Sequence, residues 1–171
     1  MDLQVLFEDE NVQVVNKPVG MTLGDGFLGL PEEVSGIEII AKNTLAMAEL
    51  ERFKEQGTLK VTYLAWVCAN IPDESGQLEH LNWKKVHQVY QNTLVRIAPE
   101  TFDLGIIRQE FKYIGHPIIG DQKYNPQTNY TGGLLMHSST LQLPIPFTDE
   151  VREIGAPLPK AFPRNLRKDF Q

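Results

Sequence analysis

Four histidines (His80, His87, His116 and His137) and one cysteine, Cys68, are the side chains from which a metal centre or nucleophilic site would be built. Structural zinc takes Cys or His ligands in closely spaced pairs. No two of these five stand at such a spacing, so no metal is expected. His116 follows Gly115 as a turn residue, and His137 lies in a strand-like run. No G-x-S-x-G elbow or Ser, His and Asp arrangement marks a hydrolase. Gly24-Asp25-Gly26 lacks the G-x-x-x-x-G-K-S/T pattern and any Rossmann spacing. It reads as a turn, and no cofactor is expected. Lys84-Lys85 reads as a solvated face. Positive charge gathers in the tail, where Lys160, Arg164, Arg167 and Lys168 stand against Asp169 alone. Such a cluster can contact phosphates.

The elements that must position these groups follow from periodicity. Leu3, Val5 and Phe7 alternate with polar neighbours, Glu8-Asp9-Glu10-Asn11 turns, and Val12, Val14 and Val15 return as a second strand. Pro18 ends it, because proline lacks the N–H a ladder needs. Residues 20–36 form a long Gly-rich loop carrying Asp25, Pro31, Glu32 and Glu33, and long loops in compact domains are often functional. Ile37 to Ala41 is a buried strand. Asn43 or Thr44 caps a helix over 44–56, with Ala46, Leu50 and Phe53 on one face and Gly57 closing it. Lys60 to Ile71 is the longest β-type run, and Pro72 to Gly76 is a turn. Shorter strands are expected near 85–90 and 93–98. Leu104, Ile107, Phe111 and Ile114 make a helix over 103–114. A strand spans Leu134 to Leu143, and the Pro-rich remainder is expected to wrap the surface. The fold class is α+β, one domain over 1–171 with a mixed, mainly antiparallel sheet.

The chain has 171 residues, 42% hydrophobic and 22% charged, with a formal net charge of −6. This is the composition of an ordinary globular protein. No apolar run approaches the ~20 residues of a membrane span, so no membrane partner is expected. One cysteine cannot form an internal disulfide, and Met1-Asp2-Leu3-Gln4 does not begin a secretory signal. A cytoplasmic location is the expectation. The acidic balance argues against a general nucleic-acid binder.

Six segments, in order, resemble the RluA-type branch of the RNA pseudouridine synthases. Val5-Leu6-Phe7-Glu8-Asp9 followed by Val14-Val15-Asn16-Lys17-Pro18-Val19-Gly20 is similar to that family's opening hairpin. Ser35-Gly36-Ile37-Glu38-Ile39-Ile40-Ala41-Lys42-Asn43 is similar to the strand after its catalytic loop. Lys60-Val61-Thr62-Tyr63-Leu64-Ala65 resembles its K-x-Y-x-A strand. Arg108 with Gly115-His116-Pro117-Ile118-Ile119-Gly120-Asp121 resembles the end of H-Q-I-R-x-H and the following G-H-P-I-x-G-D. Met136-His137-Ser138 with Leu141, Leu143 and Pro146 resembles L-H-A-x-x-L-x-F-x-H-P, and Ala156-Pro157-Leu158-Pro159 the terminal A-P-x-P. The resemblance implies a mostly antiparallel sheet crossed by an RNA cleft.

Departures from the pattern bear on activity. The family's catalytic loop reads R-L-D-x-x-T/S-S-G, and its Asp engages the uridine during isomerisation. Counting back from Ser35-Gly36 puts Gly29, Leu30 and Pro31 at R-L-D. Proline is neither nucleophile nor base. Where the family has T-G-R-T-H-Q-I-R-x-H, Asp103, Gly105, Ile106 and Glu110 replace an Arg, the first His, the Gln and the second His. Tyr63 and Arg108 persist. The resemblance implies that this Tyr packs on the target base and that this Arg pairs with the missing Asp.

A buried guanidinium needs a counter-charge, for which Asp25, Glu32, Glu33 and Asp103 are the candidates. Asp25 and Glu32 are also the carboxylates that could replace the lost catalytic group. The former cleft comprises Leu30, Tyr63, Ile107 and Arg108. Lys17 and the basic tail at 157–171 are the candidate RNA contacts. The loop at 20–36 and the segment from Gly76 to Thr101 are shortened.

The expectation is a catalytically inactive pseudouridine synthase-like protein that binds RNA or a protein partner through that cleft. Two alternatives remain: an active uridine-to-pseudouridine isomerase using Glu32 or Asp25, and a protein-interaction module with no RNA role.

Overall fold

The computed structural model describes residues 3–125 and 133–162. Nine strands and two helices are found among the described residues, and the pairings within each of two compact units are antiparallel. One unit is Met1–Val61 with Ser138–Pro157; the other is Thr62–His137 with Leu158–Gln171. The α+β class with a mostly antiparallel sheet is the one expected.

The first unit opens with β1 (Gln4–Glu8) and β2 (Val12–Lys17), with Val5 opposite Val15. The turn between them is tied by the Asp9 carboxylate, whose Oδ1 accepts from the amides of Asn11 and Val12 at 2.7 and 2.8 Å. Such Asx turns explain why a short acidic run can reverse a chain. Strand β3 (Ser35–Ala41) pairs with β2, Val14 facing Ile39.

Helix α1 (Thr44–Gln56) buries Ala46, Leu50 and Phe53. The cap is Asn43, which accepts from the Ala46 amide at 2.8 Å, and the helix stops at Gly57 in a left-handed conformation. Both ends satisfy backbone groups the helix leaves open. The later part of β8 (Met136–Pro144) lies beside β3, where Ser138 Oγ donates to the Ile37 carbonyl.

Strand β9 (Val151–Gly155) pairs with β8, Leu141 facing Ile154. The expectation of a surface wrap missed this strand. Ile154 is its one buried residue, so no alternation marks it in the sequence.

In the second unit the strands run β4–β7–β6–β5. These are β4 (Lys60–Val67, entering this unit at Thr62), β5 (Ser75–Gln77), β6 (Leu81–Val89) and β7 (Asn92–Pro99). The run from Lys60 was expected to continue to Ile71, but β4 ends at Val67, and Ala69 takes a positive φ of 67°. The expected turn at Pro72 to Gly76 also gives way at Ser75, where β5 begins.

Helix α2 (Leu104–Tyr113) buries Leu104, Ile107 and Phe111 and is capped by Asp103. A core of Leu64, Val89, Leu94, Ile119, Leu135, Leu158 and Phe162 packs behind β4 and β7. Burying apolar area at roughly 25 cal/mol per Å² is the main force holding such an assembly together.

Candidate functional site

The loop that follows β2 contains the three residues aligned with R-L-D. Its ends are closed by a hydrogen bond from the Gly20 amide to the Glu32 carbonyl at 2.9 Å. Leu23 to Gly26 forms the expected tight turn, with the Gly26 amide on the Leu23 carbonyl. Gly26 then bridges to Ile40, and the Phe27 amide donates to the Ile39 carbonyl.

What organises the next three residues is Glu38, a carboxylate on β3 that is 1% exposed. Its Oε1 accepts from the Leu28 amide at 2.6 Å and the Ile39 amide at 2.9 Å, while Oε2 accepts from the Leu30 amide at 2.9 Å. Burial pushes the Glu38 carboxyl above the usual carboxylate range, against the pull of these amides and that of Gly29. A Cβ on Gly26 would stand 2.6 Å from the Glu38 carboxyl carbon, so the loop can lie on the carboxylate only because residue 26 is glycine.

Lys17, at the end of β2, is fully buried. Its Nζ donates to the carbonyls of Pro18 and Met21 at 3.0 and 2.7 Å, holding the start of the same loop. Burial lowers the affinity of this amine for its proton, and the charges of Glu38, Glu32 and Glu33 oppose that shift. The expectation that Lys17 offers a phosphate contact is therefore corrected: an enclosed ammonium bound to loop carbonyls presents nothing to solvent. Leu30 is buried, Pro31 half-buried, and Asp25 and Glu32 exposed.

The residues aligned with the second motif lie in the other unit. Tyr63 on β4 is 1% exposed and Ile107 on α2 is fully buried, so both are core side chains rather than open cleft walls. Arg108 follows Ile107 on α2. Its Nε donates to Asp121 Oδ2 at 2.9 Å and its Nη2 to Asp121 Oδ1 at 2.7 Å. This bidentate pair is enclosed, with side-chain exposures of 12% for Arg108 and 0% for Asp121.

Asp121 Oδ1 also accepts from the amides of Lys123 and Tyr124. The Tyr124 ring sits 5.1 Å from the Arg108 guanidinium carbon, and its hydroxyl accepts from Gln109 Nε2 at 3.1 Å. That hydrogen bond is the chief reason the phenol is held below its ordinary range.

Asp121 was absent from the four candidate counter-charges. Its signal lay in the G-H-P-I-x-G-D segment, read as a family marker and not as a source of charge. The turn that delivers it depends on Gly120, whose φ is +83° and where a Cβ would fall on the Gly133 carbonyl oxygen. Asp103, another candidate, caps α2 through the Gly105 amide at 2.9 Å. Glu110 receives the backbone N–H of His80 at 3.0 Å and faces its Nδ1 at 3.1 Å. His116 Nδ1 lies 2.8 Å from the Cys68 carbonyl. Lys160 is exposed, whereas Arg164, Arg167 and Lys168 lie outside the described residues. Among the described residues, no helix is long and apolar enough to cross a membrane.

The segments that resemble the synthase motifs sit on a mostly antiparallel α+β fold, with Arg108 in a buried ion pair and Glu38 holding the loop residues aligned with R-L-D. In sequence the chain is similar to curated RNA pseudouridine synthases, and in fold to solved human pseudouridylate synthase domain-containing proteins. No family model matches it.

Among curated proteins it is 27% identical to an uncharacterized RNA pseudouridine synthase, YlyB, of Bacillus subtilis, covering 99% of this chain and 74% of that protein. It is 28% identical to ribosomal large subunit pseudouridine synthase C of Escherichia coli, over 96% of this chain and 69% of the relative. The Bacillus alignment runs over 225 positions against 171 residues here, so at least 54 (225 less 171) have no counterpart in this chain.

Among solved structures, human RNA pseudouridylate synthase domain containing 4 superposes with a TM-score of 0.80 at 15% identity, covering 92% of this chain and 89% of that one. Human RNA pseudouridylate synthase domain containing 1 gives 0.78 at 16% identity, over 91% and 83%. These two likenesses are of fold.

Proposed function

We propose that this protein is a shortened pseudouridine synthase-like scaffold that binds RNA and no longer isomerises uridine. The observation that carries the reading is the fate of the Asp–Arg pair on which the reaction depends. Pro31 occupies the Asp position, and the guanidinium of Arg108 is engaged by Asp121 within its own unit. A proline can neither attack the sugar or base nor move a proton. Flipping a uridine into a pocket also costs a few kcal/mol, which an enzyme recovers by gripping the base. Here the Tyr of K-x-Y-x-A is buried. RNA binding rests on the relatives, which are named for their action on RNA, and on the basic tail that includes exposed Lys160.

The test pairs two measurements on the full chain. Tritium release from C5-labelled uridine in total cellular RNA reads isomerisation directly, and the expected result is none above background. Filter binding of the same RNA across a salt series is expected to show a negative log–log slope, the mark of phosphate contacts. Turnover abolished by Glu32→Gln or Asp25→Asn would instead establish an isomerase with a displaced carboxylate. No retention of RNA even at low salt would establish a protein-interaction module.

A further inference from the structure

We propose that Glu79, His80 and Glu110 form a binding site for a divalent transition-metal cation of the zinc class. Spacing along the chain hides this cluster, because Glu110 comes from α2 while Glu79 and His80 precede β6. The fold brings them together. The turn is fixed by the Leu78 amide on the Leu81 carbonyl at 2.8 Å, and the His80 carbonyl accepts from the Glu100 amide at 2.7 Å. Each of the three residues then offers one ligand atom, and these atoms all lie within 4.8 Å of one another.

Two further observations point to a cation. The first is an unmet charge. Oε1 of Glu110 accepts the His80 backbone N–H, but Oε2 is shut off from solvent and has no hydrogen-bond partner. Buried carboxylate oxygens are otherwise satisfied by donors or by a metal. Among the described ion pairs neither Glu79 nor Glu110 meets a Lys or Arg, so the two carboxylates together match a dication.

The second is geometry. His80 Nδ1 and Glu110 Oε1 are 3.1 Å apart, the separation of two ligands held by one ion at bond lengths of about 2.0–2.2 Å. An ion here takes the Nδ1 lone pair of the Nε2–H tautomer and replaces the present N···O contact by two coordinate bonds. An open pocket of about 470 Å³, lined by Glu79, Gln109, Glu110 and Tyr113 among others, leaves room for the remaining water ligands. One imidazole nitrogen with carboxylate oxygens suits zinc-class ions, whereas calcium takes an all-oxygen shell and magnesium keeps most of its water.

Calorimetric titration of the full chain with zinc chloride tests the site. One equivalent is expected to bind, with affinity reduced at least tenfold in His80→Ala, in Glu79→Gln and in Glu110→Gln. It should be unchanged in His87→Ala and Cys68→Ser. Magnesium chloride is expected to give no heat at matched concentration. Circular dichroism checks each variant's fold, and His80→Ala keeps the test decisive if Glu110→Gln unfolds. Absence of zinc binding up to millimolar ion, or binding that His80→Ala leaves intact, would overturn the proposal.

Discussion

The guanidinium of Arg108 and the carboxylate of Asp121 meet edge to edge, Nε on Oδ2 at 2.9 Å and Nη2 on Oδ1 at 2.7 Å, with Asp121 wholly enclosed. Planar forks of this kind hold geometry as well as charge. The pair joins α2 to the turn after Gly120, and Asp121 passes the restraint on to the amides of Lys123 and Tyr124.

Removing one charge from that pair is expected to be expensive. Asp121→Asn keeps the side-chain shape but removes the charge that the enclosed Arg108 fork engages, a change worth about 3–5 kcal/mol when a buried pair is broken. Urea unfolding of Asp121→Asn, Arg108→Met and the double variant measures the coupling. Two single losses that simply add in the double variant would mean that the contact carries no mutual stabilisation.

Restoring the missing carboxylate should not restore chemistry. Pro31→Asp returns an acid to the motif position, but Arg108 remains on Asp121, and Gly105 and Ile106 still stand where the family has His and Gln. Tritium release from C5-labelled RNA is the readout, with no turnover expected. Measurable turnover in Pro31→Asp would show that the rest of the machinery is intact and that proline alone silences it.

Much of the framework was legible because it rests on patterns that sequence displays. The spacing of Ala46, Leu50 and Phe53 between Asn43 and Gly57 marks a helix with both its caps, and Val12, Val14 and Val15, all buried, mark β2 as an apolar strand. The site was read less well. The partners of Glu38 are backbone amides, which carry no letter, so a charged residue in an apolar strand looks merely misplaced. Asp121 reaches Arg108 only because a left-handed glycine turns the chain, and Glu110 reaches His80 only across the packing of α2. Contacts made by tertiary closure leave no period to count. β9 escaped for a plainer reason: a short, mostly exposed strand has no buried face to alternate.

The Gly120 turn yields the third expectation. Gly120→Ala must hold φ near +83° and also move the Gly133 carbonyl away from the new Cβ. Left-handed strain alone is worth about 1–3 kcal/mol, and the steric conflict adds to it. Gly24→Ala is the control, since its φ is unexceptional and nothing lies within 4 Å of the added carbon. Thermal unfolding should separate the two clearly. Equal midpoints would show that the turn relaxes without penalty.

Glu38 offers a test with a sign. Its carboxyl is pushed up in the fold by burial, so the folded state holds this proton more tightly than the unfolded chain does. The stability it contributes is fully present below the unfolded value, 4.5, and is lost as pH rises through the raised folded value. Glu38→Gln resembles the protonated form and cannot titrate. The stability difference between variant and native protein should therefore shift in the variant's favour as pH is raised from 4.5 towards neutrality. Glu38→Leu cannot titrate either and follows the same pH trend from a lower level, because it strands the amides of Leu28 and Leu30 without an acceptor, at about 1–3 kcal/mol for each buried group left unsatisfied. Urea midpoints of the three proteins across that range decide the matter. A pH-independent gap between the native chain and Glu38→Gln would mean that the loop rests on a carboxylate whose burial costs nothing.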